Sequence, residues 1–352
     1  MRKLASIQQI RHIEPIPKAD AIERARVLGW WLVIKKGEFA VGDKVVYCEV
    51  DSLLPERPEF EFLRPSCFKP AILDGEAVVQ PAGFRIRTVK MRGQVSQGIC
   101  FPLSILPADA PTEIDSDVTE TLGIHKWEPP LPVGMSGRVK GHFPGFLSKT
   151  DETRIQILEP VLERHRGRTF YVTEKVDGTS FSAFLRDGEF GICSRNLWMD
   201  ETDETNILAR ITKTLQLREK LELMREKFGF EPAIQGEVIG PGIQGNKYGL
   251  SQVDLLVFNV LDLAEQRLVD HEVMLESLEA VGLKSVPQLG TIVLDHTVDE
   301  LVAFSTDTSV LNGKVQREGV VLRTLAEEFD VDLGGRLSFK VINPKFLLKF
   351  DE

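Results

Sequence analysis

The 352-residue sequence has few of the residues that build metal or disulfide sites. Its four cysteines lie tens of residues apart without a Cys-x-x-Cys pair, and its six histidines are equally scattered. These spacings argue against a zinc site and against a disulfide framework. We therefore expect reduced thiols, and we expect any metal to be held by carboxylates and waters, the ligands that suit Mg²⁺ or Mn²⁺.

Long apolar segments are also missing. The run at 255–263 is interrupted by Asn259 and Asp262, far short of the roughly 20 apolar residues that a membrane-spanning helix needs. The charged residues after Met1 are not followed by the apolar segment of a secretory signal. We expect a soluble protein without a membrane partner and, by default, a cytoplasmic location.

The net charge of −10 argues against a nucleic-acid partner, but the charges are unevenly distributed. Residues 1–92 contain 16 Lys and Arg against 12 Asp and Glu. Within eight positions, and without an intervening acid, lie four basic residues: Arg85, Arg87, Lys90 and Arg92. This basic segment is either a phosphate-facing stripe or a solvated strand face, and charge alone leaves both open.

The length and the 42% of hydrophobic residues predict two globular domains. Residues 1–130 contain short β-type runs at 31–34, 44–50, 77–79 and 98–101, separated by glycine turns. This spacing predicts an OB-like β-barrel. A Pro- and acid-rich connector is expected to follow it, ending in Trp127-Glu128-Pro129-Pro130-Leu131-Pro132.

Residues 131–352 predict an α+β domain. Strands are expected at 170–173, 181–185, 233–238, 255–258 and 319–322, and apolar residues at helical spacing predict one helix over 204–228. The segment 240–245, Gly-Pro-Gly-Ile-Gln-Gly, matches G-x-G-x-x-G. Because no helical pattern follows it, we interpret this segment as a loop rather than a dinucleotide site.

The segment 173–179, Thr-Glu-Lys-Val-Asp-Gly-Thr, places Lys175 where a β-run ends and Asp177 two residues later. A lysine with an ordinary pKa of about 10.4 has little free amine at neutral pH, so its attack on phosphorus requires a nearby cation or desolvation. On its own, this pattern is more often a surface ion pair.

The segments after Lys175 resemble, in their order, the motifs of the covalent nucleotidyltransferases, that is, polynucleotide ligases and mRNA capping enzymes. Lys175-Val176-Asp177-Gly178 resembles motif I, and Ser194-Arg195-Asn196 resembles motif Ia. The other four are Gln235-Gly236-Glu237 for motif III, Leu256-Val257-Phe258-Asn259-Val260 for motif IIIa, Glu318-Gly319-Val320-Val321 for motif IV and Ser338-Phe339-Lys340-Val341-Ile342 for motif V.

The resemblance implies the roles of individual residues. Lys175 would take the nucleotide, and Asp177, Glu237 and Glu318 would hold a Mg²⁺ or Mn²⁺ ion through waters. These four residues and Lys340 form the expected catalytic set. The residues expected to bind ATP are Glu174, Lys175, Gly178, Ser180, Arg195, Glu237, Phe258 stacked on adenine, Val320 and Lys340, with Lys149 and Arg154 at the leaving pyrophosphate.

The branch of the family is indicated by the order of the domains. DNA ligases and capping enzymes carry an OB domain after motif V, whereas this sequence ends twelve residues after Lys340 and its OB-like part comes first. This order, with segments 42–47 and 146–156, resembles the ATP-dependent RNA ligases with an N-terminal OB domain. Two positions depart from relatives: Ile342 replaces a second motif V lysine, for which Lys345 and Lys349 are the candidate substitutes, and Ser180 replaces an Asn.

We therefore expect a monomeric ATP-dependent RNA ligase, acting in RNA repair or nick sealing. It would join RNA 3′-OH and 5′-phosphate ends, expected in a nicked duplex, through a lysyl-AMP and an adenylylated RNA end. The alternatives are a DNA ligase, a GTP-dependent capping-type enzyme, or a non-catalytic OB-type nucleic-acid-binding protein. The sequence leaves open the physiological RNA, the strand that must be RNA and the choice between Mg²⁺ and Mn²⁺.

Overall fold

The computed structural model describes residues 3–74, 77–128 and 137–350. By its internal contacts the chain divides into two compact units. The first comprises residues 1–130, 156–159 and 344–352, and the second comprises residues 131–155 and 160–343. The predicted limits, 1–130 and 131–352, differ from this division because two short segments of the C-terminal part group with the first unit. Within the described part of the chain, no helix is long and apolar enough to cross a membrane.

The first unit is built from short strands. They are β1 (Ala5–Pro15), β2 (Ile22–Val27), β3 (Trp30–Lys35), β4 (Lys44–Cys48), β5 (Ser52–Leu54), β6 (Phe68–Lys69), β7 (Ile72–Asp74), β8 (Ala77–Gln80), β9 (Gly83–Arg85), β10 (Val89–Met91), β11 (Gln94–Ser96), β12 (Ile99–Pro102) and β13 (His125–Lys126). Helix α1 (Arg64–Cys67) lies between β5 and β6.

A long first strand curls the sheet of this unit. The strand order is β12-β4-β1-β2-β3, and a second sheet has the order β13-β5-β9-β6. β1 pairs with β4 through its first half and with β2 through its second, with a register shift between Ile10 and His12. Such a bulge bends a strand and increases its twist. The predicted OB-like barrel is confirmed in this curled antiparallel sheet.

The acid-rich stretch before residue 128 is not a free connector, contrary to the prediction. Val118, Leu122 and Ile124 are buried in the core of the first unit, and Asp117 forms a β-bridge with Ser6. The many acids of this stretch concealed the few apolar residues that anchor it. The predicted end of the connector, residues 129–132, lies outside the described residues.

The second unit combines two large sheets, a two-stranded sheet of residues 329–330 and 335–336, and helices. Its strands are β14 (Val139–His142), β15 (Thr153–Arg154), β16 (Thr169–Lys175), β17 (Thr179–Arg186), β18 (Glu189–Cys193), β19 (Leu197–Met199), β20 (Pro232–Ile239), β21 (Asp254–Asp262), β22 (Arg267–Leu268), β23 (Lys284–Ser285), β24 (Gln288–Val293), β25 (Gly319–Thr324), β26 (Phe329–Asp330), β27 (Gly335–Arg336) and β28 (Ser338–Ile342). The helices are α2 (Glu159–Arg164), α3 (Ile207–Thr214), α4 (Leu217–Phe228), α5 (His271–Ala280) and α6 (Val298–Ser305), and α7 (Pro344–Phe350) groups with the first unit.

The chain passes from one sheet to the other directly after Lys175. One sheet has the order β14-β19-β18-β17-β20-β21-β22, with β23 also paired to β21, and the other has the order β15-β28-β25-β16-β24. β16 belongs to the second of these sheets and β17 to the first, so residues 176–178 connect them. The α+β class is confirmed, and strand ends from both sheets meet at this crossing.

The helix predicted over 204–228 is two helices. α3 and α4 are separated at Gln216, whose backbone is left-handed at φ 51°. The apolar pattern carries a signal of this break, because a continuous stripe would need apolar residues at 218 and 219, where the chain has Arg218 and Glu219. Restarting the helix at Leu217 buries that side chain completely.

Candidate active site

Lys175 is the last residue of β16, and its ammonium is paired with the carboxylate of the residue directly before the neighbouring strand β25. Antiparallel pairing of β16 with β25 sets Lys175 opposite Gly319 and so brings Glu318 beside it. Lys175 Nζ donates a hydrogen bond to Glu318 Oε1 at 2.6 Å. A Cβ at position 319 would lie 2.2 Å from the Val341 backbone oxygen, so only glycine allows β25 and β28 to pack this closely.

The pKa of Lys175 reflects two opposing effects. Burial lowers the pKa of this amine, but the carboxylates of Glu318 and Glu237, with the hydrogen bond to Glu318, outweigh burial and raise it above its ordinary value. Without further positive charge at the site, Lys175 is therefore an ammonium ion, not a free amine.

Glu237 reaches the site from β20, next to the turn at Gly178. A Cβ on Gly178 would lie 2.4 Å from the Val238 backbone oxygen, so the glycine allows this turn to pack against β20. Burial raises the pKa of Glu237 to about 8, Lys175 opposes that rise, and the carboxylates of Glu318 and Asp177 add to it. Glu318 and Asp177 are thus close enough to Glu237 to disfavour its ionisation.

Asp177 is held by two residues that sequence reasoning missed. Lys247 Nζ lies 2.7 Å from Asp177 Oδ2, and the backbone N–H of Asp177 donates to the Tyr248 hydroxyl at 2.8 Å. Burial and the Glu318 carboxylate raise the pKa of Asp177, while Lys247 lowers it. Both partners lie in the loop that contains the G-x-G-x-x-G match, and no sequence signal indicates that this loop returns to Asp177.

The donor set fits a hydrated divalent cation. Glu318 Oε2 is buried without a hydrogen-bond partner among the described residues, and three carboxylates face two ammonium groups, Lys175 and Lys247. In the described ranges, no three or more His, Cys, Asp or Glu side chains are grouped to ligate a metal directly. The predicted metal role of Asp177, Glu237 and Glu318 is through waters, and it stays a prediction.

Lys340 shares the face of the sheet on which Lys175 lies. Antiparallel pairing sets Lys340 opposite Val321, and parallel pairing of β15 with β28 sets Arg154 opposite Lys340. Burial lowers the pKa of Lys340 to about 7, and the charges of Arg154 and Lys175 act in the same direction. Two predicted phosphate-binding residues are therefore neighbours of the lysine that is expected to take the nucleotide.

The prediction of Val320 as an ATP contact needs correction. Side chains alternate between the faces of a sheet, and Thr173, Val321 and Lys340 form one cross-strand row on the Lys175 face. Val320 belongs to the opposite face and is fully buried. Val321 is therefore the apolar residue of β25 that this face presents.

Glu174 also points away from the Lys175 face. Its carboxylate accepts hydrogen bonds from the Ser309 hydroxyl and from the Val310 backbone N–H, the latter at 2.8 Å. Burial raises the pKa of Glu174 and these bonds oppose the rise. The side chain predicted to contact ATP thus holds the loop around residues 309–310 instead.

Phe258 is the extra residue of a β-bulge, which sets the direction of its side chain. In the pairing of β20 with β21, Gln235 is opposite Asn259 and Gly236 is opposite Val257, so Phe258 is the extra residue. A bulge re-aims a side chain, and Phe258 is only partly buried. On the neighbouring strand pair β17–β20, Ser180 lies opposite Glu237.

Comparisons with known proteins agree with this geometry. The model of an OB-fold domain matches residues 4–103, and the model of the RNA ligase family matches residues 168–342. A structure of Naegleria gruberi RNA ligase with PPi is 36% identical, with a TM-score of 0.86 over 99% of this chain and 98% of that chain. A glutamate-to-alanine variant of that ligase with ATP and Mn is also 36% identical, with a TM-score of 0.87 and full coverage of both chains. No curated protein matches the chain.

The chain belongs to the RNA ligase family. The predicted RNA ligase with an N-terminal OB domain is confirmed, and the chain is an enzyme of the ligase class. From the sequence, the segment 240–245 is interpreted as a loop rather than a dinucleotide site. The loop between β20 and β21 contains turns and the 3-10 segment Gln244–Asn246 rather than an α-helix.

Lys149 and Arg195 of this ligase form a cluster of their own. Lys149 Nζ donates to the Arg195 backbone oxygen at 2.6 Å and to Asn196 Oδ1 at 3.2 Å, and Arg195 Nη2 donates to Asp151 Oδ1 at 2.7 Å. Burial and the Arg195 charge lower the pKa of Lys149. Asp151 also raises the pKa of Lys340 against the effect of burial, which links the cluster to the Lys340 face.

The position of the second motif V lysine is occupied by a buried residue. Ile342 is buried at 3% exposure in β28. Lys345 and Lys349 both lie on α7, which groups with the first unit. Their contribution to phosphate binding stays a prediction.

One buried ion pair of the ligase was not foreseen. Arg323 Nη2 lies 3.1 Å from Glu152 Oε1, and Arg323 Nη1 donates to Thr173 Oγ1 at 3.2 Å. The same guanidinium lies 5.8 Å from the centre of the Phe258 ring. The pair comes from segments 171 residues apart, so only the fold brings it together.

Proposed function

We propose that the chain is an ATP-dependent RNA ligase in which Lys175 carries AMP. The observation that carries this proposal is the Lys175–Glu318 contact at 2.6 Å, with Glu237 and Asp177 beside it, at the strand end where the motifs predict the nucleotide acceptor. Solved structures of the related ligase with ATP and Mn support ATP as the substrate and a divalent cation as the cofactor.

In the first step, Lys175 Nζ attacks the α-phosphorus of ATP, the bond from that phosphorus to the bridging oxygen breaks, and pyrophosphate leaves. The amine must first lose the proton that Glu318 and Glu237 stabilise. A divalent cation, held through waters by Asp177, Glu237 and Glu318, would neutralise these acids and the phosphates and so disfavour the ammonium form. Lys340 and Arg154 place positive charge on the same face, where the phosphates would lie.

In the second step, an oxygen of the RNA 5′-phosphate attacks the phosphorus of lysyl-AMP and releases Lys175, giving a pyrophosphate-linked adenylylated RNA. In the third, the 3′-OH of the adjoining strand attacks the RNA 5′-phosphorus, AMP leaves and a phosphodiester forms. Holding both ends in line converts a reaction between separate strands into one within a complex.

The finer properties are also proposals. A nicked duplex is the substrate that would bring both ends together without further machinery, and the exposed Lys90 and Arg92 of the first unit support a polynucleotide contact there. The four cysteines are free, which suits a cytoplasmic, reducing location. We propose a monomer that repairs RNA, with either Mg²⁺ or Mn²⁺ as the cation.

The decisive experiment offers the protein α-labelled ATP or α-labelled GTP with Mg²⁺ or Mn²⁺ and no polynucleotide. Label that stays on the denatured protein with ATP alone supports an ATP-dependent ligase, whereas labelling by GTP would indicate a capping-type enzyme. Nicked duplexes with RNA or DNA at the 3′-OH strand then identify the substrate. Absence of label with either nucleotide would indicate a non-catalytic nucleic-acid-binding protein.

A further inference from the structure

The loop between β20 and β21 has an ordered, hydrogen-bonded conformation that the proposed chemistry does not explain. Gln244 and Asn246 both have left-handed backbones, with φ angles of 43° and 49°. The Asn246 side chain closes the loop, accepting from the Leu250 N–H at 3.0 Å and donating to the Leu250 oxygen at 2.9 Å. Strained backbone of this kind persists only where surrounding contacts hold it.

This loop holds both the backbone and the side chain of Asp177. The Tyr248 hydroxyl accepts the Asp177 N–H at 2.8 Å, and Lys247 Nζ lies 2.7 Å from Asp177 Oδ2. The side chains of Lys247 and Asp177 are only 10% and 12% exposed. A charge-assisted contact shielded from water in this way orients a carboxylate far better than a surface pair does.

A second loop is tied to the first. Asn312 Nδ2 donates to the Tyr248 backbone oxygen at 3.0 Å, and the nearby Val310 N–H donates to Glu174. The residue before Lys175 and the second residue after it are therefore held by two connected loops. The ammonium of Lys247 also offsets the repulsion between the carboxylates of Asp177 and Glu318.

We infer that Lys247 is a positioning residue for adenylylation of Lys175: it fixes the carboxylate of Asp177 and does not touch ATP. The inference rests on the proposed function, because Asp177 matters only if Lys175 takes AMP. Outer partners that orient a functional carboxylate typically contribute on the order of 10- to 100-fold to activity.

The test measures single-turnover formation of the enzyme–AMP at saturating Mn²⁺, the KM for ATP, and the urea midpoint of unfolding without metal. The variants are Lys247→Met, Lys247→Arg, Asp177→Asn and the double variant Lys247→Met/Asp177→Asn. Tyr248→Phe removes the backbone contact and gives an independent perturbation. Lys284→Met is the matched control, because it breaks the 2.6 Å ion pair between the exposed Lys284 and the partly buried Asp254.

Lys247→Met is expected to slow adenylylation on the order of 10- to 100-fold at an unchanged KM for ATP, with Lys247→Arg restoring most of the rate. In the Asp177→Asn background, Lys247→Met should cause no further loss of rate and no further drop in the urea midpoint. Tyr248→Phe should lower the rate in the same direction, and Lys284→Met should match the wild type.

The inference would be overturned if the loss persisted in the Asp177→Asn background with a raised KM for ATP, since Lys247 would then contact the nucleotide. Equal losses of adenylylation rate in Lys247→Arg and Lys247→Met would indicate that Lys247 acts only through packing. That result would also overturn the inference. If the wild type is labelled by ATP and Lys247→Met is adenylylated at the normal rate, the inference about Lys247 is refuted but the proposed function is not. An unlabelled wild type refutes the proposed function instead.

Discussion

Lys175 and Lys340 lie on the same face of one sheet, yet their surroundings move their pKa values in opposite directions. The carboxylates near Lys175 outweigh burial and raise its pKa, whereas burial and two neighbouring cations lower the pKa of Lys340 to about 7. Before ATP and metal bind, Lys175 therefore keeps its proton to higher pH than Lys340 does. Binding of positive charge at Glu318 and Glu237 is what would release its proton.

Lys175→Ala should abolish labelling by ATP and sealing of RNA that carries an ordinary 5′-phosphate. It should retain sealing of pre-adenylylated RNA, because the last transfer needs no lysine nucleophile. Gel assays of both substrates and peptide mapping of the wild-type adduct check this. AMP found on a different lysine would show that the mechanism is assigned to the wrong residue.

Glu237→Gln and Glu318→Gln should each lower the adenylylation rate on the order of 100-fold, since each removes a negative acceptor for the water shell of the cation. Asp177→Asn should behave similarly. The exposed Glu265→Gln, matched in chemistry, should be unaffected. If all three acid variants kept near-normal rates and metal dependence, a carboxylate-held cation at this site would be excluded.

Lys340 should make the metal-free protein more stable as the pH rises. With a native pKa of about 7 against an ordinary 10.5, Lys340 binds a proton in the unfolded state but not in the native state between these values, so the free energy of unfolding increases there. The destabilisation by Lys340 is complete below pH 7 and disappears above pH 10.5. Glu237, with its raised pKa, contributes the opposite slope between pH 4.5 and about 8.

Lys340→Met should therefore be more stable than the wild type near pH 7, by on the order of 2 kcal/mol once partial exposure of the lysine is considered. The difference should shrink toward pH 10, and the Glu237 slope cancels because both proteins have it. Urea unfolding in EDTA at several pH values measures the difference. A difference that does not change with pH would contradict the assigned pKa.

The sequence predicted the strands around Lys175 well because motif I, III, IV and V segments are local patterns at strand ends. It could not predict which face Val320 and Val321 present, because that depends on the register between β16, β25 and β28. It also missed Lys247, since the loop that carries it returns to Asp177 only in the folded chain. The sequence also predicted one helix where two are separated at Gln216, although the break in the apolar pattern at Arg218 and Glu219 is a local signal of that split.

Alanine variants of Val321 and Val320 should differ in their effect on the KM for ATP. Val321→Ala should raise the KM for ATP, because Val321 shares the face with Lys175 and Lys340, and it should also lower the free energy of unfolding, because Val321 is only 6% exposed. Val320→Ala should lower only the free energy of unfolding, by on the order of 2 kcal/mol, because it empties space in a closed core. Labelling kinetics and urea unfolding of the two variants check both statements. A raised KM for ATP in Val320→Ala alone would mean that Val320, and not Val321, contacts ATP.

The basic segment of the first unit should act through only some of its residues. Arg85 is paired with Asp51 at 3.3 Å and is only 12% exposed, whereas Lys90 and Arg92 are exposed around the β10–β11 hairpin. If these two meet phosphates, the double variant Lys90→Ala/Arg92→Ala should weaken RNA binding and reduce the slope of log affinity against log salt by about 1.8 for a duplex. Arg85→Ala should leave that slope unchanged, because its charge is already neutralised by Asp51.

Binding titrations of a nicked duplex at several salt concentrations measure both slopes. An unchanged slope in the double variant would make the segment a solvated strand face and would place the polynucleotide contact of the enzyme elsewhere.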